Sequence, residues 1–156
     1  MYHDDLLAQA LQLIQVAPPS QLTLRRAVSA AYYAVFHFLI AEATSNWASI
    51  PLCTALGRAF DLGVMKTASN RILNAKEFPF TGENPAVVGG LRFVAQAFSQ
   101  LQEDRHFADY NLTKDLDLVE ALTQVKSAEK NFHIWPTIRG EEIAQAYLVS
   151  LLVKRV

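Results

Sequence analysis

Residues 84–105 carry the feature that most constrains the fold of this chain. Asn84 can accept a hydrogen bond as a helix N-cap, and Pro85 suits the first helical position because its missing N–H would be unpaired there anyway. The apolar residues that follow step by four, three, four and three positions: Val87, Leu91, Val94, Phe98 and Leu101. This spacing places them on one face, so we predict a long helix with a buried apolar stripe.

The other segments also have helical periodicity, and none shows sustained alternation of polar and apolar residues. We predict further helices over 4–15, 20–43 (beginning at Ser20 or Thr23), 52–60, 65–73, 113–132 and 140–154. Pro18-Pro19 ends the first of these helices, and Pro136 is expected to separate the last two. The predicted fold is all-α, an up-and-down bundle of four to five long helices with short extra helices, in a single domain over residues 1–156.

Composition limits the classes of function. The chain has 14 Lys and Arg against 15 Asp and Glu, for a net charge of −1, whereas strong DNA binding needs many basic residues on one face. Cys53 is the single cysteine, so no intrachain disulfide can form, and no spacing of ligand residues indicates a metal site. Gly89-Gly90 follows no strand and indicates close helix packing rather than a phosphate-binding loop. We expect no metal and no cofactor.

The sequence indicates neither a signal peptide nor a membrane span, and the location of the protein is predicted from this. The N-terminus has no basic stretch followed by an apolar run, as a signal peptide would. The most apolar segment, residues 27–43, contains Ser29, His37 and Glu42 and is short for a membrane span. We therefore expect a cytoplasmic protein that does not interact with a membrane.

The most apolar predicted helix carries a stripe of polar side chains. Arg26, Ser29, Tyr33 and His37 are separated by three, four and four residues. At about 100° per residue they fall within an arc of roughly 80°, and Arg25 lies just beside it. Two interpretations stay open: hydrogen-bonded structure, because buried polar groups are normally paired, or a functional surface.

Arg105 lies where the long helix should continue its apolar stripe, four residues after Leu101. Burying an unpaired guanidinium is costly, so Arg105 needs a partner or must face a groove. Asp109, one turn further on, is the nearest candidate partner, and His106 and Tyr110 flank the pair. The pair is either structural or an anion-binding or catalytic arginine held in place by a carboxylate.

Two stretches resemble the HEPN superfamily. Residues 25–37, Arg-Arg-Ala-Val-Ser-Ala-Ala-Tyr-Tyr-Ala-Val-Phe-His, are similar to its signature second helix. Residues 105–110, Arg-His-Phe-Ala-Asp-Tyr, are similar to the Arg-x-x-Ala-Asp-Tyr element of a branch of small prokaryotic proteins. The order and separation of the two motifs match as well, and the resemblance covers residues 6–132. It implies a helical bundle that forms a homodimer or pairs with a partner subunit.

The resemblance also implies a function. It suggests an RNA-binding or toxin-like component of a prokaryotic toxin–antitoxin or defence system, with RNA and a nucleotidyltransferase-type antitoxin as partners. Many members of the family are metal-independent ribonucleases, and these carry a histidine four to six residues after the arginine. In this chain the spacer after Arg105 ends at Tyr110, Asn111 or Leu112. The motif typical of the catalytic members is therefore not intact.

The resemblance assigns roles to residues of both motifs. The residues implied for catalysis are Arg105, Asp109, Tyr110 and His37. The residues implied for binding RNA or another anion are Arg25, Arg26, Ser29, Tyr33 and His106. In a dimer, two copies of Arg105 would hold an RNA phosphate, or would stabilise the charge that develops when a ribose 2′-hydroxyl attacks it.

Two other functions stay open at this point. In the first, the polar groups only fix helix register in a non-catalytic interaction or scaffold module, and exposed aromatic side chains contact a partner. The candidates for that contact are Trp47, Phe78, Phe80 and Trp135. In the second, the residues between the two motif helices line a pocket for an anion such as a nucleotide.

Overall fold

The computed structural model describes residues 1–45, 47–78 and 80–153 and contains seven helices within those ranges. In chain order they are α1 (Tyr2–Leu13), α2 (Gln21–Thr44), α3 (Ile50–Gly57), α4 (Leu62–Leu73), α5 (Pro85–Tyr110), α6 (Leu118–Ile138) and α7 (Glu142–Ser150). The described residues contain no strand. The predicted all-α bundle is therefore confirmed, with α2, α5 and α6 as its longest helices.

Local capping determines where the two motif helices begin. Ser20 Oγ accepts a hydrogen bond from the Thr23 backbone N–H at 3.1 Å, so α2 starts directly after Ser20. Asn84 Oδ1 accepts from the Ala86 backbone N–H at 2.9 Å, and Pro85 occupies the first helical position of α5. Both predicted starts are confirmed, because a side-chain cap satisfies donors that the helix itself leaves unpaired.

The last two helices differ from the prediction. α6 begins at Leu118 rather than at residue 113, because Asp117 and Glu120 form a capping box with N–H···O distances of 2.8 and 3.3 Å. Pro136 does not separate the helices, since α6 continues through it to Ile138. α7 follows as a short helix, and residue 154, its predicted end, lies outside the described residues.

The α2 helix forms the centre of the bundle and packs against α1, α5 and α6. Val28, Val35 and Leu39 are fully buried along it. With 24 residues, α2 is longer than the apolar segment predicted from the sequence, and it is long and apolar enough to cross a membrane by length and composition. However, 56% of its apolar window is buried inside the fold, which is the pattern of a core helix.

Gly90 allows α5 to approach α6 closely. A Cβ atom at this position would lie 3.2 Å from Ile138 Cγ2 and 3.4 Å from Ile134 Cγ2. The predicted packing role is therefore confirmed for Gly90. It is wrong for Gly89, where an added Cβ would meet nothing within 4 Å.

The Glu42 carboxylate ties the end of α2 to α6. Its Oε2 accepts from Trp135 Nε1 and Arg139 Nε, and its Oε1 accepts from Arg139 Nη2, each at 2.8 Å. Trp135 is fully buried, so its predicted exposure to a partner is wrong. The reason is that α6 continues past Pro136, which keeps Trp135 on the helix face that packs into the core.

The other aromatic candidates for partner contact differ in exposure. Trp47 is 55% exposed, as the prediction required. Phe78 and Phe80 are half-buried and pack against the core, with their ring centroids 5.5 Å apart. Of the four aromatic residues, Trp47 alone presents most of its side chain to solvent.

Candidate functional site

The α2 and α5 helices pack against each other in antiparallel directions, so the motif in the first half of α2 lies beside the motif at the end of α5. Arg25, near the start of α2, contacts carbonyls at the end of α5. Seven residues further along α2, the Tyr32 ring packs against Phe98, with centroids 6.0 Å apart. Arg105 lies between these two levels, with its guanidinium over the Tyr32 ring.

An open groove of about 340 Å³ lies where α1, α2 and the end of α5 meet, and we call it the α1–α2–α5 groove. Arg26, Ser29 and Tyr33 line it from α2, and Asp109 lines it from α5. The α1 wall consists of Leu6, Gln9 and Leu13. Arg26 is exposed, whereas Ser29 and Tyr33 are half-buried. The groove therefore combines a solvent-facing cation, two hydroxyl groups and one carboxylate.

The Arg105 guanidinium lies directly behind this groove. The residue is 9% exposed, and its Cζ is 5.0 Å from the ring centroid of Tyr32 and 5.9 Å from that of Tyr33. Its Nη1 is 3.6 Å from Asp109 Oδ2. The two ring faces and the carboxylate compensate part of the hydration that the buried cation loses. Arg105 therefore contacts two of the residues that line the groove, Tyr33 and Asp109.

Two neighbouring side chains at this point have unsatisfied polar atoms. Arg105 Nε and Tyr32 Oη are buried and make no hydrogen bond of standard geometry with the described residues, although the Arg105 guanidinium interacts with the Tyr32 hydroxyl. Burial raises the pKa of Tyr32 to about 12, and the adjacent Arg105 charge opposes this rise only in part. An unpaired buried polar group costs about 1–3 kcal/mol. Such a cost in a native structure calls for an explanation, and a functional role of these two side chains would provide one.

Arg25 has an environment different from the predicted one. Its Nη1 donates to three carbonyls at the end of α5, at 2.7 to 3.3 Å: Phe107, Ala108 and Asn111. Nη2 donates to the Lys114 carbonyl at 2.7 Å, and Nε donates to Gln21 Oε1 at 3.3 Å. Carbonyls at a helix C-terminus lack partners within the helix and carry partial negative charge. Arg25 is therefore engaged in closing α5, and the geometry does not support its predicted role in binding RNA or an anion.

His106 and Tyr110 lie on another face of α5. Their ring centroids are 5.1 Å apart, and Tyr110 is 67% exposed. Both line a separate surface pocket and neither lines the α1–α2–α5 groove. They follow Arg105 and Asp109 by one residue each, which turns them by about 100° around the helix axis. The structure therefore does not bring them together with the Arg105 guanidinium.

His37 is on the predicted α2 stripe but lies beyond the groove. It is one turn past Tyr33, and its ring contacts the Tyr2 ring edge-on at a centroid distance of 4.9 Å. Burial lowers the pKa of His37, and the nearby His3 lowers it further. The predicted catalytic group of Arg105, Asp109, Tyr110 and His37 is thus divided among three places, and only Arg105 and Asp109 are in contact.

Two parts of this region were not identified from the sequence. Tyr32 belongs to the motif, but its spacing marks it as a core residue, and only its contact with Arg105 distinguishes it. The α1 wall was missed because nothing in α1 indicates which of its faces meets α2. Gln9 lies between apolar positions, but so does Gln12, so the sequence does not distinguish the residue that lines the groove.

No group of three or more His, Cys, Asp or Glu residues in the described ranges is arranged to hold a metal ion. Comparison of the chain with protein-family models, curated proteins and solved structures gives no match. The HEPN resemblance therefore stays a prediction from the two motifs.

Proposed function

We propose that this chain is an RNA-binding protein of the HEPN type and that it binds RNA in the α1–α2–α5 groove. One observation carries the proposal. Polar residues of the two motifs, Arg26, Ser29 and Tyr33 from one and Asp109 from the other, line a single groove in front of a buried guanidinium. A toxin-like role, a homodimer and a nucleotidyltransferase-type partner belong to the same proposal and depend on the motif resemblance alone.

The groove offers the kinds of contact that a ribonucleotide uses. Arg26 is an exposed guanidinium for a phosphate, and the half-buried Tyr33 ring offers a surface on which a base can stack. The Asp109 carboxylate can accept a hydrogen bond from a ribose 2′-hydroxyl, a group that DNA lacks. With one exposed arginine in the groove, the proposal is a contact with a short single-stranded segment rather than with a duplex backbone.

The proposal concerns binding and does not include cleavage. Cleavage without a metal requires proton carriers within reach of the 2′-hydroxyl and the leaving oxygen. Asp109 and Tyr33 line the groove, but neither histidine does: His37 lies beyond it against Tyr2, and His106 lies on another face of α5. The geometry therefore supports an RNA-contacting groove better than it supports a ribonuclease centre that depends on histidine.

Fluorescence anisotropy with a labelled single-stranded RNA, and with DNA of the same sequence, tests the proposal. We expect tighter binding to RNA and a loss of at least about tenfold, or 1.4 kcal/mol, in Arg26→Ala. Arg58→Ala is the matched control, because Arg58 is also exposed but lies after α3, away from the groove. Equal affinity for RNA and DNA, or an equal loss in both variants, would contradict the proposal. Incubating the labelled RNA with protein in chelator shows in the same experiment whether it is cut.

A non-catalytic interaction module is the second candidate, and one observation favours it. Trp47, Ile50 and Leu52 are 55%, 79% and 55% exposed around the start of α3. Clustered apolar side chains in solvent often mark a contact with another protein. If RNA does not bind and Ile50→Lys dissociates an oligomer seen by analytical ultracentrifugation, this second function replaces the first.

A nucleotide ligand would use the same α1–α2–α5 groove, and thermal stabilisation by nucleotides would detect it.

A further inference from the structure

A second groove, of about 410 Å³, lies between the end of α5 and the beginning of α6, and we call it the α5–α6 groove. Its apolar lining consists of Phe107, Leu116 and Val119. Leu116 is buried, Phe107 is half-buried and Val119 is 71% exposed. Asp104 lies on the α5 wall and Glu120 on the α6 wall.

The walls of this groove are helix faces, which makes it elongated. On α5 the lining residues Gln100, Asp104 and Phe107 are separated by four and three positions. On α6, Val119 and Thr123 are four positions apart, and so are Glu120 and Gln124. Residues at such spacing lie above one another on a helix surface. A groove between two helices with this geometry suits a third helix packed along it.

The α5–α6 groove lies in the most acidic part of the chain. Residues 100–124 contain six acidic residues and two basic ones, Arg105 and Lys114. The segment therefore has a formal charge of −4, while the whole chain has −1 and the remainder +3. Arg105 is buried beside Asp109, and Lys66 of α4 pairs with Glu103 at 3.1 Å. The lining of the groove itself has two carboxylates, Asp104 and Glu120, against one ammonium group, that of Lys114. This charge distribution repels phosphates and attracts cations.

The Asp104 carboxylate has little compensation for its partial burial. One hydrogen bond, from Gln100 Nε2 at 3.2 Å, reaches it. Burial raises the pKa of Asp104; Gln100 opposes this rise, while Glu103 and Glu120 add to it. A cationic side chain placed in the groove would relieve both the burial and the repulsion among these carboxylates.

We propose that the α5–α6 groove binds a basic amphipathic helix of a protein partner. Apolar side chains of that helix contact Phe107, Leu116 and Val119, and its Lys or Arg side chains pair with Asp104 and Glu120. Two properties of the groove select the occupant. Its apolar lining requires an apolar stripe on the partner helix, and its acidic side chains require positive charge beside that stripe. The proposal concerns a surface other than the RNA groove and stands without it.

A synthetic helix tests this directly. The probe is a fluorescein-labelled Leu/Lys peptide with leucines at three- and four-residue spacing, and its counterpart has Glu in place of every Lys. We expect the full chain to bind the Leu/Lys helix and not the Leu/Glu helix in fluorescence anisotropy. Val119→Lys, and separately the pair Asp104→Asn and Glu120→Gln, should each weaken binding at least about tenfold. Far-UV circular dichroism verifies that both variants keep their helices.

Val149→Lys is the matched control, because Val149 is 52% exposed on α7 and lines neither the α5–α6 groove nor the α1–α2–α5 groove. It should leave peptide binding unchanged. Equal binding of the Leu/Glu helix, or an equal loss in Val149→Lys, overturns the proposal. A dimer in analytical ultracentrifugation that Val119→Lys dissociates also overturns it, since it assigns the groove to a second copy of the chain. Arg26→Ala separates this proposal from the RNA proposal, because it should weaken RNA binding alone.

Discussion

Arg25 and Arg105 lie on facing helices and are equally buried, each 9% exposed, yet their environments are opposite. The Arg25 guanidinium donates to four backbone carbonyls and to Gln21 Oε1. The Arg105 guanidinium has an unpaired Nε, a carboxylate at 3.6 Å and two aromatic rings. Burial alone therefore does not show whether an arginine is fully hydrogen-bonded.

The difference follows from where each side chain meets the other helix. Arg25 reaches the last turn of α5, where carbonyls have no N–H partner within the helix. Arg105 is inside α5 and reaches the middle of α2, where every nearby carbonyl is already used by the helix. Aromatic faces and one carboxylate are what that surface can offer.

The largest expected effect is on stability, in Arg25→Met. This change removes the guanidinium donors to four partly buried carbonyls, of which Phe107 O keeps the Asn111 backbone N–H at 2.9 Å, so we expect a loss of about 3 kcal/mol in the free energy of unfolding. Urea denaturation followed by circular dichroism measures it. Arg25→Lys should recover only part of the loss, because an ammonium cannot reproduce the planar fork of donors. A loss below about 1 kcal/mol in Arg25→Met would contradict the structural role of Arg25.

Arg105→Met makes the same chemical change in the other environment. We expect stability to change by less than about 1 kcal/mol in either direction, because the 3.6 Å contact with Asp109 is long and the Asp109 side chain is 29% exposed, so water can hydrate the carboxylate that loses its partner. RNA binding should fall at least about tenfold, or 1.4 kcal/mol. The same urea titration and the RNA anisotropy assay provide both values. If Arg105→Met destabilises the fold as much as Arg25→Met, the two arginines are both structural and the comparison fails.

Tyr32→Phe tests the same contrast at a single hydroxyl group. The buried Oη interacts with the Arg105 guanidinium but makes no hydrogen bond of standard geometry with the described residues. Removing it should leave the melting temperature unchanged or raise it, a gain in stability of up to about 1 kcal/mol. Tyr147→Phe is the matched control, since the fully buried Tyr147 hydroxyl lies 2.8 Å from Ser69 Oγ. That variant should lose about 1 kcal/mol. A similar loss in both variants would mean that the Tyr32 hydroxyl is satisfied in solution.

The smallest expected effect concerns His37, which, unlike a buried arginine, can lose its proton and become neutral. An arginine stays charged when buried, whereas burial lowers the pKa of His37 below its ordinary 6.5. Because the folded pKa is lower than the unfolded one, the neutral form is favoured in the fold. Stability is therefore fully present above pH 6.5 and falls as the pH decreases below that value.

The measurement is the urea midpoint of the wild type and of His37→Gln at a series of pH values from neutral to mildly acidic. The wild type should lose more stability across this range, because glutamine takes up no proton. His133→Gln is the control for removing a histidine that is exposed on α6. Parallel pH profiles for the wild type and His37→Gln would contradict this prediction, because they would mean that the pKa of His37 is the same in the folded and unfolded chain.

Much of the fold was predictable because its signals are local. Asn84 with Pro85, and Ser20 before α2, mark helix starts through contacts within three residues. The errors at α6 have the same origin. Thr113 can cap a helix by its residue type, but Asp117 caps α6 because Glu120, three residues on, completes a capping box. Pro136 often ends a helix, but α6 continues through it, with Trp135 buried in the core and bonded to Glu42.

The candidate site was predictable only in part. The spacing on α2 and the interruption at Arg105 identified both polar faces, and the structure places Arg26, Ser29, Tyr33 and Asp109 along one groove. The α1 wall, and the separation of His106 and Tyr110 from Arg105, depend on how the helices are rotated against each other. Rotation is set by packing over the whole core, which single-residue spacing does not reveal.

Local signals are enough to predict a bundle of helices, a polar stripe on the most apolar helix with Arg25 beside it, and Arg105 on a stripe that should be apolar. Periodicity and capping act over a few residues, so they can be read from the sequence. Which of the two arginines is fully hydrogen-bonded depends on the tertiary structure. The carbonyls that pair with Arg25 are 82 to 89 residues away along the chain, whereas Asp109 is the fourth residue after Arg105. Hydrogen bonding between residues so distant depends on how the helices pack, and that packing separates an arginine with complete hydrogen bonding from one with an unpaired nitrogen.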